Sequence, residues 1–154
     1  MKRLLLKLLL IASVTINLNA VNAFYGGIEV DTLNIGLSGK VDLTDKFTLQ
    51  GTLGFFGELD HYGAKAIYKV DKRKAYNMFA YTGIGMWKWE GIFEEDESIV
   101  GYSVGGGLEL DLQQLLGRDF PPLFMSGELG FDYINFDYAD YGGLHVGGGI
   151  HYKF

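Results

Sequence analysis

Cysteine, proline and long apolar runs are absent or scarce in this chain of 154 residues. It contains no cysteine and two prolines, so no disulfide is available to stabilise an exported domain. After residue 23, no apolar run approaches the roughly 20 residues that a membrane-spanning helix needs, which excludes a helical membrane protein. Disorder is also disfavoured, because disordered segments are poor in aromatic residues and this chain has 15%.

Positive charge is scarce as well. The chain carries 13 Lys and Arg residues against 19 Asp and Glu residues. Lys2, Arg3 and Lys7 are three of the 13, so the chain from residue 24 onward has 10 basic residues and a net charge near −9. Because a nucleic-acid site needs clustered Lys and Arg to neutralise phosphates, nucleic acid is not expected as a partner.

Residues 1–23 have the pattern of a secretory signal peptide. A basic start at Lys2 and Arg3 precedes a short apolar core over 8–14, and Val21 and Ala23 occupy the positions that signal peptidase reads. No cysteine follows the cleavage site, which excludes a lipoprotein anchor. Removing 23 residues from 154 leaves 131. We therefore predict a signal peptide over 1–23 and one domain over 24–154.

Beyond residue 23 the dominant pattern is an alternation of apolar with small or polar residues, which predicts β-strands. The C-terminal segment shows it most clearly. One face of this segment contains Leu144, Val146, Gly148, Ile150, Tyr152 and Phe154. The other face contains Gly143, His145, Gly147, Gly149, His151 and Lys153.

The same alternation predicts eight strands, most of them near the 9–11 residues that a tilted strand needs to cross a bilayer. An even number places both ends of the domain on one side of the membrane, which we expect to be the periplasmic side. Over 75–90, two sets of apolar residues compete for the outer face, so the register there stays open. A turn of helix is predicted between Asp111 as the N-cap and Gly117. The predicted strands span 24–31, 33–43, 46–56, 61–70, 75–90, 98–110, 122–136 and 142–154.

The placement of charge distinguishes a membrane barrel from a soluble barrel or sandwich. The polar faces carry many of the 23 glycines and few charged side chains per strand, which would be a poor surface for water. Small residues instead suit the interior of an eight-stranded barrel, which side chains just fill. The apolar faces have aliphatic middles and aromatic ends, as expected for rings at the two membrane interfaces. We therefore predict an all-β, eight-stranded antiparallel up-and-down transmembrane barrel.

The last four residues are His151-Tyr152-Lys153-Phe154, with both aromatic rings on one face. This ending resembles the signal by which outer-membrane barrel precursors are recognised by the barrel assembly machinery. With the signal peptide and the strand count, the mature chain is similar to the eight-stranded outer-membrane barrels of the OmpA/OmpX type. The resemblance implies a location in the cell outer membrane, contact with outer-membrane lipid and lipopolysaccharide, and assembly through Tyr152 and Phe154. The outer loops are shorter than in long-looped members, which argues against adhesion through large loops.

Eight ionisable residues on the polar faces are predicted to point into the lumen. Both signs of charge are present, and burying an unpaired charge is costly, so we expect these residues to form ion pairs that plug the barrel. A narrow gated ion path is the alternative, although no ring of like charge is present to set its selectivity. The eight residues are Glu29, Lys40, Lys65, Glu109, Glu128, Asp132, His145 and His151.

The predicted function is therefore that of a non-catalytic barrel serving envelope structure or surface interaction. A lipid A-modifying enzyme is a further alternative, but it would need a nucleophile beside a base where the lipid arrives. Ser103 and Ser126 face the lumen in this interpretation, and His61 is expected at an outer loop with no serine beside it. A soluble lipocalin-like binder is the least favoured alternative.

No cofactor or metal site is predicted. The acidic segment 94–97 is interpreted as a solvated loop tip, with divalent cations bridging it to lipopolysaccharide as a hypothesis based on charge alone. The oligomeric state is left open, because the glycine-rich faces carry no interface signature.

Overall fold

The chain folds into a closed β-barrel. A computed structural model describes residues 22–32, 34–56, 59–89, 97–135 and 140–154. Each strand pairs antiparallel with its neighbour in sequence, and β1 pairs with β8 to close the barrel. The predicted all-β, eight-stranded up-and-down barrel is confirmed. The strands are β1 (Ala23–Asp31), β2 (Asn34–Asp42), β3 (Phe47–Phe56), β4 (Leu59–Lys72), β5 (Tyr76–Trp89), β6 (Glu97–Asp111), β7 (Leu123–Asn135) and β8 (Asp140–Lys153).

The two ends of the barrel differ in their connections. The end that carries the start of β1 and the end of β8 also carries the connections 43–46, 73–75 and 112–122, and we call it the turn end. The opposite end carries the connections 32–33, 57–58, 90–96 and 136–139, and we call it the loop end. Among the described residues, no helix is long and apolar enough to cross a membrane.

The strand boundaries differ from the predicted ones by at most two residues, and the largest differences are in β4 and β8. β4 begins at Leu59 rather than at 61 and continues to Lys72 rather than stopping at 70. Its pairing with β5 shifts register between Lys69 and Asp71, so a bulge lets the strand extend past the predicted end.

The register of β5, left open by the sequence, is set by the space inside the barrel. Phe79, Tyr81 and Trp87 are buried in the lumen, whereas Met78 and Ile84 are about half exposed on the outer wall. The rings lie against glycines of the inner wall, which provide the room. A side-chain carbon at Gly105 would lie 2.7 Å from the Tyr81 hydroxyl, and one at Gly101 would lie 2.7 Å from the Trp87 ring.

The predicted helical turn is confirmed as α1 (Leu112–Leu116) in the connection between β6 and β7. The Asp111 carboxylate caps its start by accepting a hydrogen bond from the Gln114 backbone N–H at 3.0 Å. Gly117 ends it with φ at 115°, a conformation that favours glycine.

The outer wall is predominantly apolar between its two ends. Its middle is aliphatic, and large side chains such as Leu37 and Leu129 are 60% and 59% exposed there. Exposed aromatic rings lie toward both ends. The turn-end rings are Phe24, Phe47, Tyr68, Tyr76, Tyr152 and Phe154, and the loop-end rings are Phe55, Tyr62, Tyr102, Phe131 and Tyr133. A continuous apolar wall between two aromatic rims matches the hydrocarbon core and interfaces of a bilayer.

Candidate functional site: the barrel lumen

Apolar clusters narrow the lumen toward each of its two ends. In the turn-end cluster, Tyr25 and Phe124 meet edge to face with ring centroids 5.2 Å apart. Between the two end clusters, charged and polar side chains share the lumen with a third apolar cluster of Ile67, Phe79 and Tyr81 on β4 and β5. The turn-end cluster contains Ala23, Tyr25 and Phe124, and the loop-end cluster contains Trp87, Ile99 and Ile134.

A chain of five ionisable side chains crosses the loop-end half of the lumen. Lys65 on β4 contacts Glu29 on β1, with Nζ 2.6 Å from Oε1, and also contacts Glu128 on β7. Glu128 lies 2.8 Å from His145 Nε2, and His145 Nδ1 lies 2.9 Å from Asp132. Because β4 is three strands away from both β1 and β7, Lys65 joins opposite walls of the barrel.

Neutral side chains complete the coordination of Glu29. Gln50 and Thr52 both donate hydrogen bonds to its carboxylate, the latter at 2.8 Å. With Lys65, the carboxylate therefore has three donors while only 3% of the residue is exposed. Full hydrogen bonding offsets the cost of removing a carboxylate from water, which makes a buried network of this kind tolerable.

His145 uses both ring nitrogens in contacts with carboxylates. A neutral imidazole has one N–H and one acceptor nitrogen, and an ionised carboxylate only accepts. Both contacts are therefore hydrogen bonds only when the ring carries a second proton or when one carboxyl group is protonated. For both contacts to be hydrogen bonds, the group formed by His145, Glu128 and Asp132 must hold one proton more than a neutral imidazole and two ionised carboxylates hold together.

The turn-end half of the lumen holds a second set of ion pairs. Lys40 on β2 contacts Glu109 on β6, with Nζ 2.8 Å from Oε2. These strands are four positions apart in a ring of eight, so this pair spans the lumen between opposite walls. Asp42 accepts from Tyr25 and from Lys69, each at 2.9 Å. Thr48 also donates to Asp42.

The eight ionisable residues selected from the sequence all lie on inward-facing strand positions. Seven are buried, and Lys65 is partly buried. Seven of them fall into the two ion-pair sets above. His151, 1% exposed, contacts the Ser38 hydroxyl instead, at 3.1 Å from Nε2.

Sequence reasoning missed Asp42 and Lys69 as members of the lumen set. Both could have been found by alternation alone, since Asp42 lies two residues from Lys40 and Lys69 lies four residues from Lys65 on the same face. They form an ion pair with Lys69 Nζ 2.9 Å from Asp42 Oδ1. With both included, the turn-end half of the lumen contains two ion pairs, Lys40 with Glu109 and Lys69 with Asp42.

His61, expected at an outer loop with no serine beside it, lies inside the barrel and lines a cavity together with Ser103. His61 belongs to β4 and is partly buried on the lumen side near the loop end. Its ring stacks on Trp87 with centroids 4.6 Å apart, and its Nδ1 lies 2.9 Å from the Asn34 side-chain nitrogen. The predicted strand 61–70 already contained His61, and its shared face with Gly63 and Lys65 could have placed the ring in the lumen.

A small cavity with mixed apolar and polar walls lies beside this stack toward the loop end. Its volume of about 30 Å³ is enough for one or two water molecules. Its lining includes His61, Thr52, Ser103, Asp132 and His145. Across the described ranges, no group of three or more acidic or histidine side chains has the arrangement of a metal site. Of the acidic segment 94–97, interpreted from the sequence as a loop tip, residues 94–96 lie outside the described part and Glu97 begins β6.

Comparisons with known proteins bear on the fold. No protein-family model matches the chain, and no curated protein matches its sequence. The N-terminal β-barrel domain of Pseudomonas aeruginosa OprF superposes with a TM-score of 0.63 at 16% identity, over 86% of this chain and 96% of that domain. Neisserial surface protein A gives a TM-score of 0.47 at 14% identity, over 86% of this chain and 94% of that one. Yersinia pestis Ail gives 0.41 at 15% identity, over 86% and 94%.

Of these, the OprF domain supports the comparison of folds, because its TM-score exceeds 0.5. The chain has the fold of the small eight-stranded outer-membrane barrels. Together, this fold and the apolar outer wall with its two aromatic rims define a barrel protein of the cell outer membrane.

Proposed function

We propose that this outer-membrane barrel is non-catalytic, that its lumen is closed by ion pairs, and that it serves envelope structure or interaction at the cell surface. The contact between Lys40 and Glu109 carries the proposal, because it joins opposite walls across the lumen. Lys65 makes a second crossing in the other half of the barrel. Apolar clusters lie beyond both crossings. A lumen filled in this way braces the wall and leaves little room for a continuous file of water.

Electrical recording in planar bilayers tests the closed lumen. The wild-type barrel is expected to show no sustained conductance. Lys40→Met removes one crossing, and Lys72→Met, at an exposed turn-end position, is the matched control. Steady open-channel currents from the wild-type protein would overturn the proposal of a plugged barrel.

A narrow ion path is the second candidate function, and the double contact of Lys65 favours it. Because Lys65 holds Glu29 and Glu128 at once, it can release one carboxylate while keeping the other. In that case Lys65→Met should change the frequency of brief openings in the bilayer recording, whereas Lys72→Met should not. A wild-type record without openings, unchanged by Lys65→Met, counts against the path.

The absence of catalysis is part of the proposal. Ser38 and His151 form a serine–histidine contact, but both are buried in the lumen, 5% and 1% exposed, away from the lipid. The His151 Nδ1 has no hydrogen-bond partner among the described residues, so no acid orients this ring. Ser126 instead donates to the Gly149 carbonyl at 3.5 Å. Mass spectra of lipid A from cells with and without the protein should be identical, and a mass difference would refute this part.

We also propose that Tyr152 and Phe154 form the assembly signal for the barrel machinery. Both rings lie on the outer wall, 42% and 81% exposed, with centroids 5.2 Å apart. Phe154→Ala should reduce the amount of heat-modifiable barrel in the outer membrane several-fold, while refolding in detergent stays unchanged. Equal amounts of assembled wild-type and variant barrel would contradict the assignment.

Contact with lipopolysaccharide through divalent cations at segment 94–97 remains a proposal based on charge. A calcium titration of vesicles containing lipopolysaccharide tests it, and binding that does not depend on calcium would remove it.

A further inference from the structure

Two adjacent leucines at the turn end project away from the barrel. Leu115 is 51% exposed and Leu116 is 64% exposed, and α1 contributes no buried residue. The connection is otherwise folded onto itself, because Gln113 donates from its side chain to the Phe120 carbonyl at 2.9 Å. The Gly117 N–H donates to the Gln113 carbonyl at 3.1 Å. The fold of the connection thus holds the two leucines outward.

The strand ends beside α1 continue the lipid-facing wall. β6 leads into α1 from Leu110, which pairs with Tyr76, and β7 leaves the connection at Leu123, which pairs with Tyr152. Tyr76 and Tyr152 belong to the turn-end aromatic rim, 38% and 42% exposed. Aromatic rims mark the level of the lipid headgroups. α1 therefore begins at the level of the membrane interface, directly beyond the apolar wall.

Exposed basic residues lie beside and within the same connection. Ala75, which follows the exposed Lys74, accepts from the Asp111 backbone N–H at 2.9 Å, so the β4–β5 turn borders the start of α1. Arg118 is exposed two residues after Leu116. A pair of exposed leucines near cationic side chains suits a surface with apolar chains below and phosphates above.

We propose that α1 is an interfacial anchor, in which Leu115 and Leu116 insert into the phospholipid leaflet at the turn end. The Lys74 and Arg118 side chains meet the lipid phosphates. This anchor fixes the depth of the barrel at that end and shields the β6–β7 connection from water. The anchor rests on the proposed function, in which the barrel lies in a membrane. Its experiment must therefore report separately on the anchor and on the membrane location of the barrel.

Site-directed spin labelling tests the anchor, and the absence of cysteine allows single labels without a background signal. Nitroxides at Leu115→Cys and Leu116→Cys are compared with Gln114→Cys on the same helix, in vesicles of phosphatidylethanolamine and phosphatidylglycerol. Leu129→Cys, in the middle of the outer wall, reports separately whether the barrel lies in the bilayer. Gel migration with and without heating first shows whether each variant folds. If the variant labelled at 115 does not fold, the variant labelled at 116 is used in its place.

The labels at 115 and 116 are expected to collide with oxygen several-fold more often than with an aqueous nickel chelate, whereas the label at 114 shows the reverse. Equal exposure of all three labels to the nickel chelate overturns the anchor. Shielding of 115 and 116 from both reagents also overturns it, because that result indicates a protein contact. A label at 129 that is open to the nickel chelate refutes the membrane barrel itself.

Discussion

The ion pair between Lys40 and Glu109 allows a quantitative test of the closed lumen. At 2.8 Å, the gross attraction is roughly 6 kcal/mol with an effective dielectric constant of about 20. Desolvation offsets much of this, since the residues are only 7% and 8% exposed. Removing one partner leaves a buried charge without its counter-ion, which costs about 3–5 kcal/mol. Lys40→Met and Glu109→Gln should each lower the free energy of unfolding by about that amount.

The double variant distinguishes a buried pair from two independent residues. With both charges removed, no unpaired charge remains, and the loss should be no more than about 2 kcal/mol. The double variant is therefore more stable than the sum of the two single losses predicts, by several kcal/mol. Urea unfolding of the barrel in lipid vesicles, followed by tryptophan fluorescence, measures all four proteins.

A surface pair provides the matched control. Lys72 and Asp45 are 3.7 Å apart, with side chains 52% and 88% exposed. Exposed pairs contribute about 0–1 kcal/mol, so Lys72→Met and Asp45→Asn should show almost no coupling. Single losses at Lys40 and Glu109 that simply add in the double variant would refute the ion pair across the lumen.

Two further predictions follow from the walls of the barrel. Leu129→Arg places a charge at the middle of the lipid-facing wall and should lower the free energy of unfolding by about 2–4 kcal/mol in vesicles. If that face contacted water, the substitution would cause no such loss. Gly130→Ala forces the new methyl group against the Tyr81 hydroxyl and the backbone of β6, and should cost about 1–3 kcal/mol. Gly127→Ala is its control on the outer wall, where a side-chain carbon meets nothing within 4 Å, and should be neutral or slightly stabilising. Equal losses at the two glycines in urea unfolding would contradict the assignment of inner and outer faces.

The face of each strand residue could be predicted from the sequence, but the partner of each charge could not. Alternation placed Lys40 and Glu109 inside the barrel because each shares a face with small or polar neighbours. Their contact joins residues 69 positions apart in sequence. It depends on the closure of the barrel, which brings β2 opposite β6. The residue pattern within one strand contains no information about which strand lies on the opposite wall.

β5 shows a second limit of single-strand patterns. Its aromatic and aliphatic residues alternate, so hydrophobicity is similar on both faces. The choice depends on glycines of the adjoining walls, such as Gly101 and Gly105, which leave room for Trp87 and Tyr81. The position of His61, in contrast, was within reach of the sequence, because it is the first residue of the predicted strand 61–70 and shares the inward face of Lys65.

The most direct test of a closed, lipid-embedded barrel is gel migration of residues 24–154, refolded in detergent, with and without heating. Protease protection in lipid vesicles accompanies it. A mobility that shifts on heating and a protected barrel core are the predicted results. A chain that stays soluble without detergent, migrates identically with and without heating, and is digested in the presence of vesicles would contradict the account.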